Sequence, residues 1–260
     1  MYSNSSETVR YLRESRDFVS GQEIAGRLGI TRAAVWKHIN SLRERGFGIT
    51  SVTNKGYRLD SVPDLPSEEV LHSLLRTSLI GSVIEYHDAI PSTNTRAMSL
   101  GHQGYPQGTV VTADSQTAGK ARDGGIWASP PGKNLYLSVL LKPGVPADML
   151  FKLEEIALRA MKEAVNASCP DLPLEVLDAG LFCGKNKIGG VLCEACGEIG
   201  RIHHAVAGIG LNVTHHPSSS PASSITELTG STPSRAELTV TLLEAMETHY
   251  LKWMDTVEKG

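Results

Sequence analysis

The feature that most narrows what this chain can fold into lies in its first sixty residues. There, two short helical patterns and a basic hairpin follow one another with almost no spare chain. Ser20-Gly-Gln-Glu23 has capping-box spacing, a hydroxyl and a carboxylate placed to satisfy the free amides of a helix start. The helix it opens runs through Ala25 and Leu28 and stops at Gly29, a residue that tolerates the left-handed cap conformation. Thr31 caps a second helix, Arg32 to Arg45, ending at Gly46. Val35, Ile39 and Leu42 share one face of it, and Ala33, Trp36, Lys37 and Asn40 lie on the other. Phe47–Val52 and Gly56–Leu59 then flank Thr53-Asn54-Lys55, a hairpin with a cationic tip. Two helices joined by a tight turn and followed by a charged hairpin are a winged helix-turn-helix. The outward face, with Arg32 at its start and Lys55 on the wing, is suited to the major groove and phosphates of duplex DNA. Charge agrees: residues 1–59 carry ten Lys and Arg against five Asp and Glu, although the chain as a whole is at −3.

Ser61-Val-Pro63-Asp-Leu-Pro66 cannot extend either element, so residues 61–79 read as a linker with a short helix, Ser67 to Arg76. The domains expected are 1–60, this linker, and 80–260. In the third part, strand-like runs at Thr109–Ala113, Leu135–Leu141, Leu174–Leu177, Ile188–Glu194 and His204–Val213 alternate irregularly with helical patterns. The helices are Met149–Val165 and a last one opened by the capping box Ser234-Arg-Ala-Glu237. That order implies an α+β fold. No run approaches the ~18 apolar residues of a membrane span. The N-terminus has no export signal, and four unpatterned cysteines suit a reducing cytoplasm. Cys193-Glu-Ala-Cys196 lies in a strand-like run with no second pair, and His203-His204 and His215-His216 lack the i, i+4 spacing of ligands. No metal site is therefore expected. Neither a Ser-His-Asp triad nor a Walker loop is present.

Three segments read as loops have compositions that suit ligand binding. Pro91-Ser92-Thr93-Asn94 sets three polar side chains after a strand-like run. Ser115 to Gly125 is a glycine-rich, cationic loop suited to wrapping an anion. Gly184 to Gly190 sets two lysines beside paired glycines. Their order, with Trp127-Ala-Ser-Pro130-Pro-Gly132-Lys-Asn134-Leu-Tyr-Leu-Ser138, Lys187-Ile-Gly-Gly190 and Gly208-Ile-Gly210-Leu-Asn212-Val, resembles the biotin protein ligase family. More narrowly, it resembles the bifunctional members that also repress the biotin operon. The resemblance runs from about residue 5 to 255 and implies a class-II-synthetase-like mixed sheet flanked by helices. It implies a reaction in which the biotin carboxylate attacks the α-phosphate of ATP. The resulting biotinyl-adenylate then acylates a lysine of a biotin carboxyl carrier domain. On the matching positions, Ser92, Thr93, Asn94, Gln116, Gly119 and Gly190 would line the biotin pocket. Arg122 and Lys187 would hold carboxylate and phosphate, and Trp127, Asn134 and Asn212 would face the nucleotide. A homodimer promoted by the bound adenylate, and a DNA operator as partner, are implied in the same way.

The chain departs from the family pattern where the nucleotide would sit. In the cationic loop Ala121 replaces a glycine, a methyl that costs about 1–2 kcal/mol if the position needs positive φ. Gly125 replaces an arginine, and Asp123 introduces an anion. Where the family has Lys-Trp-Pro-Asn-Asp, this chain has Val176-Leu177-Asp178-Ala179-Gly180, with Asp178 as a candidate shifted carboxylate. The family usually continues into a small SH3-like barrel, whereas this chain stops at Gly260, just after the last helical pattern. These losses count against a full ATP and Mg²⁺ site. The sequence therefore reads as a DNA-binding regulator with a ligase-like domain for biotin or biotinyl-adenylate and weak or lost ligase activity. The alternative is a working bifunctional ligase with a divergent nucleotide site.

Overall fold

The computed structural model describes residues 3–198, 200–217 and 221–259; the side chains of Asp123 and Glu258 lie outside the description. The chain divides into two compact units, Met1–Leu75 and Arg76–Gly260.

The first unit contains α1 (Asn4–Ser15), α2 (Gly21–Leu28), α3 (Arg32–Glu44), β1 (Gly48–Val52), β2 (Gly56–Ser61) and α4 (Glu68–Leu74). Helix α1 has no counterpart in the sequence reading, because only Val9 and Leu12 give it an apolar stripe while Ser6 and Thr8 are buried polar residues. Val9, Leu12, Ile24, Val35, Ile39, Leu42 and Phe47 form the core. Ser20 and Thr31 cap α2 and α3 by accepting from the amides of Glu23 and Ala34. The capping box is half made: the Glu23 carboxylate accepts from the Tyr11 hydroxyl of α1. Residues β1 and β2 pair antiparallel, and Val19 adds a third rung by exchanging two backbone hydrogen bonds of 2.8 Å with Tyr57. Gly56, at φ 110°, permits that approach; a Cβ there would lie 2.0 Å from the Val19 carbonyl oxygen. Helix α4 is fastened to α1, its Glu68 carboxylate accepting from the Ser3 amide and Ser6 hydroxyl at 2.9 and 2.8 Å.

The second unit is a seven-stranded sheet ordered β3-β4-β5-β9-β8-β7-β6. Its strands are β3 (Val83–His87), β4 (Thr109–Ala113), β5 (Leu135–Leu141), β6 (Leu174–Leu177), β7 (Gly180–Cys183), β8 (Asn186–Glu198) and β9 (Arg201–Leu211). Only β3 and β4 pair in parallel, so the sheet is mixed. Its helices are α5 (Thr93–His102), α6 (Leu150–Ser168), α7 (Ile225–Thr229) and α8 (Arg235–Lys259). Helix α5 packs Ala97 and Leu100 on Val111, Leu140 and Val206. Consecutive strand residues face opposite sides, and the glycine pair of β8 separates the two layers. A Cβ on Gly189 would strike Met161 of α6 at 2.4 Å, whereas one on Gly190 would approach Lys187 and Trp127. The segment before β3 is latched to α8 by Glu247, whose carboxylate accepts from the amides of Ser78, Leu79 and Ile80 at 2.7–2.8 Å.

Candidate functional site

On the first unit, α3 buries Val35, Ile39 and Leu42 and leaves Arg32, Ala33, Trp36 and Lys37 exposed, with Asn40 half-buried. A concave surface is lined by Arg32, Ala33 and Trp36 from α3 and by Thr53, Asn54 and Lys55 from the wing. Lys37 and Asn40 stand outside that concavity. Gln22 and Arg43, which the sequence reading did not single out, line it. Arg43 also ties α3 to the wing, donating to the Ile49 carbonyl at 2.8 and 3.0 Å. Asn54 holds the wing turn at φ 64°, a conformation its short amide side chain tolerates.

On the second unit, a cavity opens where the start of α5 meets the centre of the sheet. Its lining includes Ser92, Thr93, Asn94, Gln116, Arg122, Trp127, Lys187 and Gly190. Ser92-Thr93-Asn94, expected in a loop, is instead the N-cap and first turn of α5, with the Ser92 hydroxyl accepting from the Thr95 amide. That geometry fixes all three side chains, each 4–5% exposed, on a rigid element. The Gln116 carboxamide accepts from the Thr93 amide at 2.9 Å and donates to Ser129 at 2.9 Å. Ser138 Oγ lies 2.6 Å from Asn94 Oδ1, and Asn94 Nδ2 donates to the Glu194 carboxylate at 2.8 Å. Ser138, Glu194, Gly208 and Gly210 belong to this network as much as the residues singled out from sequence. A Cβ at Gly208 would lie 1.9 Å from Asn94 Oδ1, and one at Gly210 would lie 2.4 Å from the Trp127 ring. The cavity floor therefore requires bare backbone.

The glycine-rich loop is a hairpin. Lys120 pairs with Ile126, the Trp127 amide donates to the Gly119 carbonyl at 2.9 Å, and a 3₁₀ turn covers Arg122–Gly124. Gly119 is one wall of it: a Cβ there would lie 2.4 Å from the Trp127 carbonyl oxygen. Ala121 sits at φ −114°, ψ 178°, extended backbone open to any residue, so the strain expected from its methyl is absent. The anion expected from Asp123 falls on a side chain outside the description. Of the loop cations, Lys120 pairs with Glu194 at 3.1 Å and Arg122 pairs with Glu154 of α6. Lys187 is half-buried beneath the loop, its ammonium 5.9 Å from the Trp127 ring centre. Burial, then the nearby Arg122 charge, lowers its pKa, and Asp178 pulls it partly back. Asp178 and Ala179, at φ 43° and 53°, form the two-residue turn between β6 and β7. They stand where the family pattern has Pro-Asn.

Trp127 also borders a second, adjoining cavity lined by Ala121, Ile126, Lys187, Asn212 and Ala222. Its indole Nε1 is buried without a hydrogen-bond partner among the described residues. Asn134 is 1% exposed. Its Oδ1 accepts from the amides of Val213, Thr214 and His215, and its Nδ2 donates to the His215 carbonyl. The amide of Asn134 thus shapes the turn after β9, and Asn212 donates to the Ser223 carbonyl at 3.2 Å.

The two units match two families separately. Residues 5–58 match the HTH domain family, and residues 86–212 match the Biotin/lipoate A/B protein ligase family. The chain is 33% identical over 251 residues to the bifunctional ligase/repressor BirA of Bacillus subtilis, covering 94% of this chain and 77% of that protein. It is 30% identical over 199 residues to the protein of the same description from Escherichia coli, covering 76% and 60%. Among solved structures, the biotin protein ligase of Aquifex aeolicus in complex with biotin and ATP superposes with a TM-score of 0.58 at 26% identity, over 67% of this chain and 72% of that one. Helix-turn-helix, mixed sheet, pocket motifs and relatives agree, and this chain belongs to the biotin protein ligase family, alongside its bifunctional ligase/repressor members.

Proposed function

We propose that the protein is a DNA-binding transcriptional regulator whose larger unit takes biotin or biotinyl-adenylate as ligand, and that its ligase activity is weak or lost. The observation that carries the ligand half is the pocket itself. Thr93, Asn94, Gln116 and Ser138 form a hydrogen-bonded set around a floor at Gly208 and Gly210 that no side chain could share. Such an arrangement suits a compact ring with a few polar atoms, and the unpartnered Trp127 indole offers one donor more. Arg122 and Lys187 supply positive charge beside it. ATP, when bound, would supply the phosphate anhydride that activates a carboxylate, but this chain's residues do not fit a full ATP and Mg²⁺ site. Among the described residues, those lining the adjoining cavity include one cation, Lys187, and no carboxylate. The turn that replaces Lys-Trp-Pro-Asn-Asp leaves Val176 and Leu177 40% and 51% exposed. For the DNA half, the concavity between α3 and the wing presents Arg32, Trp36 and Lys55 to a groove.

Calorimetry with biotin, ATP and preformed biotinyl-adenylate in turn tests the reading. Biotin and adenylate are expected to bind and to raise Tm by mass action, while ATP alone gives no heat at millimolar concentration. Absence of binding by both biotin and adenylate would sink the ligand assignment.

A further inference from the structure

The far end of the β8–β9 ladder, away from Gly190 and Gly208, gathers groups that the pocket does not use. In sequence, Cys196 lacks a second Cys pair and His203-His204 lack ligand spacing. The ladder changes this by setting Cys196 directly opposite His204, and the last residue of α5, His102, closes on both. One ligand atom from each of the three residues lies within 4.8 Å of the others. The two imidazoles meet edge to face, centroids 4.8 Å apart. His204 is 6% exposed, and its Nε2 is buried without a hydrogen-bond partner among the described residues. An unpaired buried nitrogen is costly, and here bare backbone has been kept beside it: a Cβ on Gly101 would lie 2.8 Å from that Nε2.

We propose that His102, Cys196 and His204 form a site for a borderline-soft divalent cation, zinc foremost, which clips the end of α5 to the β8–β9 ladder. Two imidazole nitrogens and a thiolate are ligands that zinc favours and that calcium and magnesium do not. A tetrahedral ion with bonds of about 2.0 Å to nitrogen and 2.3 Å to sulfur needs ligand atoms roughly 3.4–3.6 Å apart. The three ligand atoms, all within 4.8 Å of one another, must draw in by up to about an ångström, and the exposed His102 can rotate toward the other two at its helix end. Water or the Glu198 carboxylate, which lines the same hollow, completes the coordination. Burial first, then the charges of His102, Lys142 and His203, holds His204 below the ordinary histidine pKa, in the neutral form that ligates. Lys142 in the hollow opposes a cation, and the negative charge of a thiolate ligand offsets it.

The test uses the purified chain stripped by chelator, titrated with Zn²⁺ by calorimetry and with Co²⁺ by absorbance. One ion per chain and a thiolate-to-cobalt charge-transfer band are expected. Binding should weaken roughly tenfold or more in both His102→Ala and Cys196→Ser. It should be unchanged in Cys193→Ser, which lies outside the cluster and whose strand partner is Ala207. The exposed position of His102 makes His102→Ala a variant that melts like the parent without metal. No binding at micromolar Zn²⁺, or an affinity unchanged from the parent in His102→Ala or in Cys196→Ser, would overturn the proposal.

Discussion

Asp178 and Ala179 hold a left-handed backbone, which an aspartate tolerates and an alanine does not favour, because the two-residue turn from β6 to β7 follows the strand twist only with both φ values positive. Asp178→Asn together with Ala179→Gly should therefore stabilise the second unit by about 1 kcal/mol, read from the midpoint of urea unfolding. The same turn sets Asp178 near Lys187. The sequence reading offered Asp178 as a candidate carboxylate but had no means of aiming it, since aim depends on how a hairpin folds over a neighbouring strand. Lys187→Ala should weaken biotinyl-adenylate far more than biotin, by about tenfold or more for a lost charge-assisted contact worth roughly 1.5–3 kcal/mol. Because burial and Arg122 lower the Lys187 pKa, its ammonium is lost earlier than an ordinary lysine's as pH rises. Adenylate affinity should accordingly fall as pH is raised from neutral to alkaline in isothermal titrations. An affinity flat with pH would remove Lys187 from the phosphate.

At the scale of elements, strands β4, β5 and β6 are legible in the sequence to the residue, because each is an apolar run between turn signals. Helices α1 and α5 are not. Each has only two fully buried aliphatic side chains, and their remaining fixed positions are polar residues whose partners come from distant sequence. Ser92-Thr93-Asn94 is the sharpest case, since hydrogen bonds from Gln116 and Ser138 hold in a helix what composition alone presents as a loop. The same dependence on distant partners governs the latch at Glu247. Burial alone would raise its pKa, but the amides of Ser78, Ile80 and Leu79 outweigh burial and lower it. Its stabilisation is thus complete above the unfolded carboxylate pKa and is lost as pH falls through the lower folded one. Glu247→Gln should flatten the acid side of the stability curve, and Glu247→Ala should cost about 2–3 kcal/mol, both measured by denaturant melts across pH. In the winged element, Arg32→Ala with Lys55→Ala should reduce the slope of log K against log salt by about two phosphate contacts. Lys37→Ala, outside the concavity, should change it less. Equal effects, seen in anisotropy titrations on an operator duplex, would relocate the docking face.

For the whole molecule, the basic residues 1–59 and the motif order set a helix-turn-helix segment apart from the segment with the pocket motifs; α4, read from sequence as part of a linker, falls within the first compact unit, Met1–Leu75. What the sequence could not show is how much of the second unit's polar network lies behind the pocket rather than in it, as with Asn134. Biotin-dependent ATP–pyrophosphate exchange separates regulator from enzyme. The unmodified chain should exchange slowly. Restoring cations through Val176→Lys and Gly125→Arg, which leaves the left-handed turn at Asp178 and Ala179 as it is, should raise the rate about a hundredfold per recovered electrostatic contact. A restored chain no faster than its parent would mean that the existing site already works. Trp127, wedged between the two cavities with an unsatisfied indole, has a consequence for how all this can be watched. The chain's three tryptophans fall in three different places: Trp36 in the concavity between α3 and the wing, Trp127 at the pocket, and Trp253 against Tyr250 on α8. Fluorescence from single-tryptophan variants would make the protein its own optical gauge, one lamp dimming with operator, another with ligand, and the third holding steady as the reference.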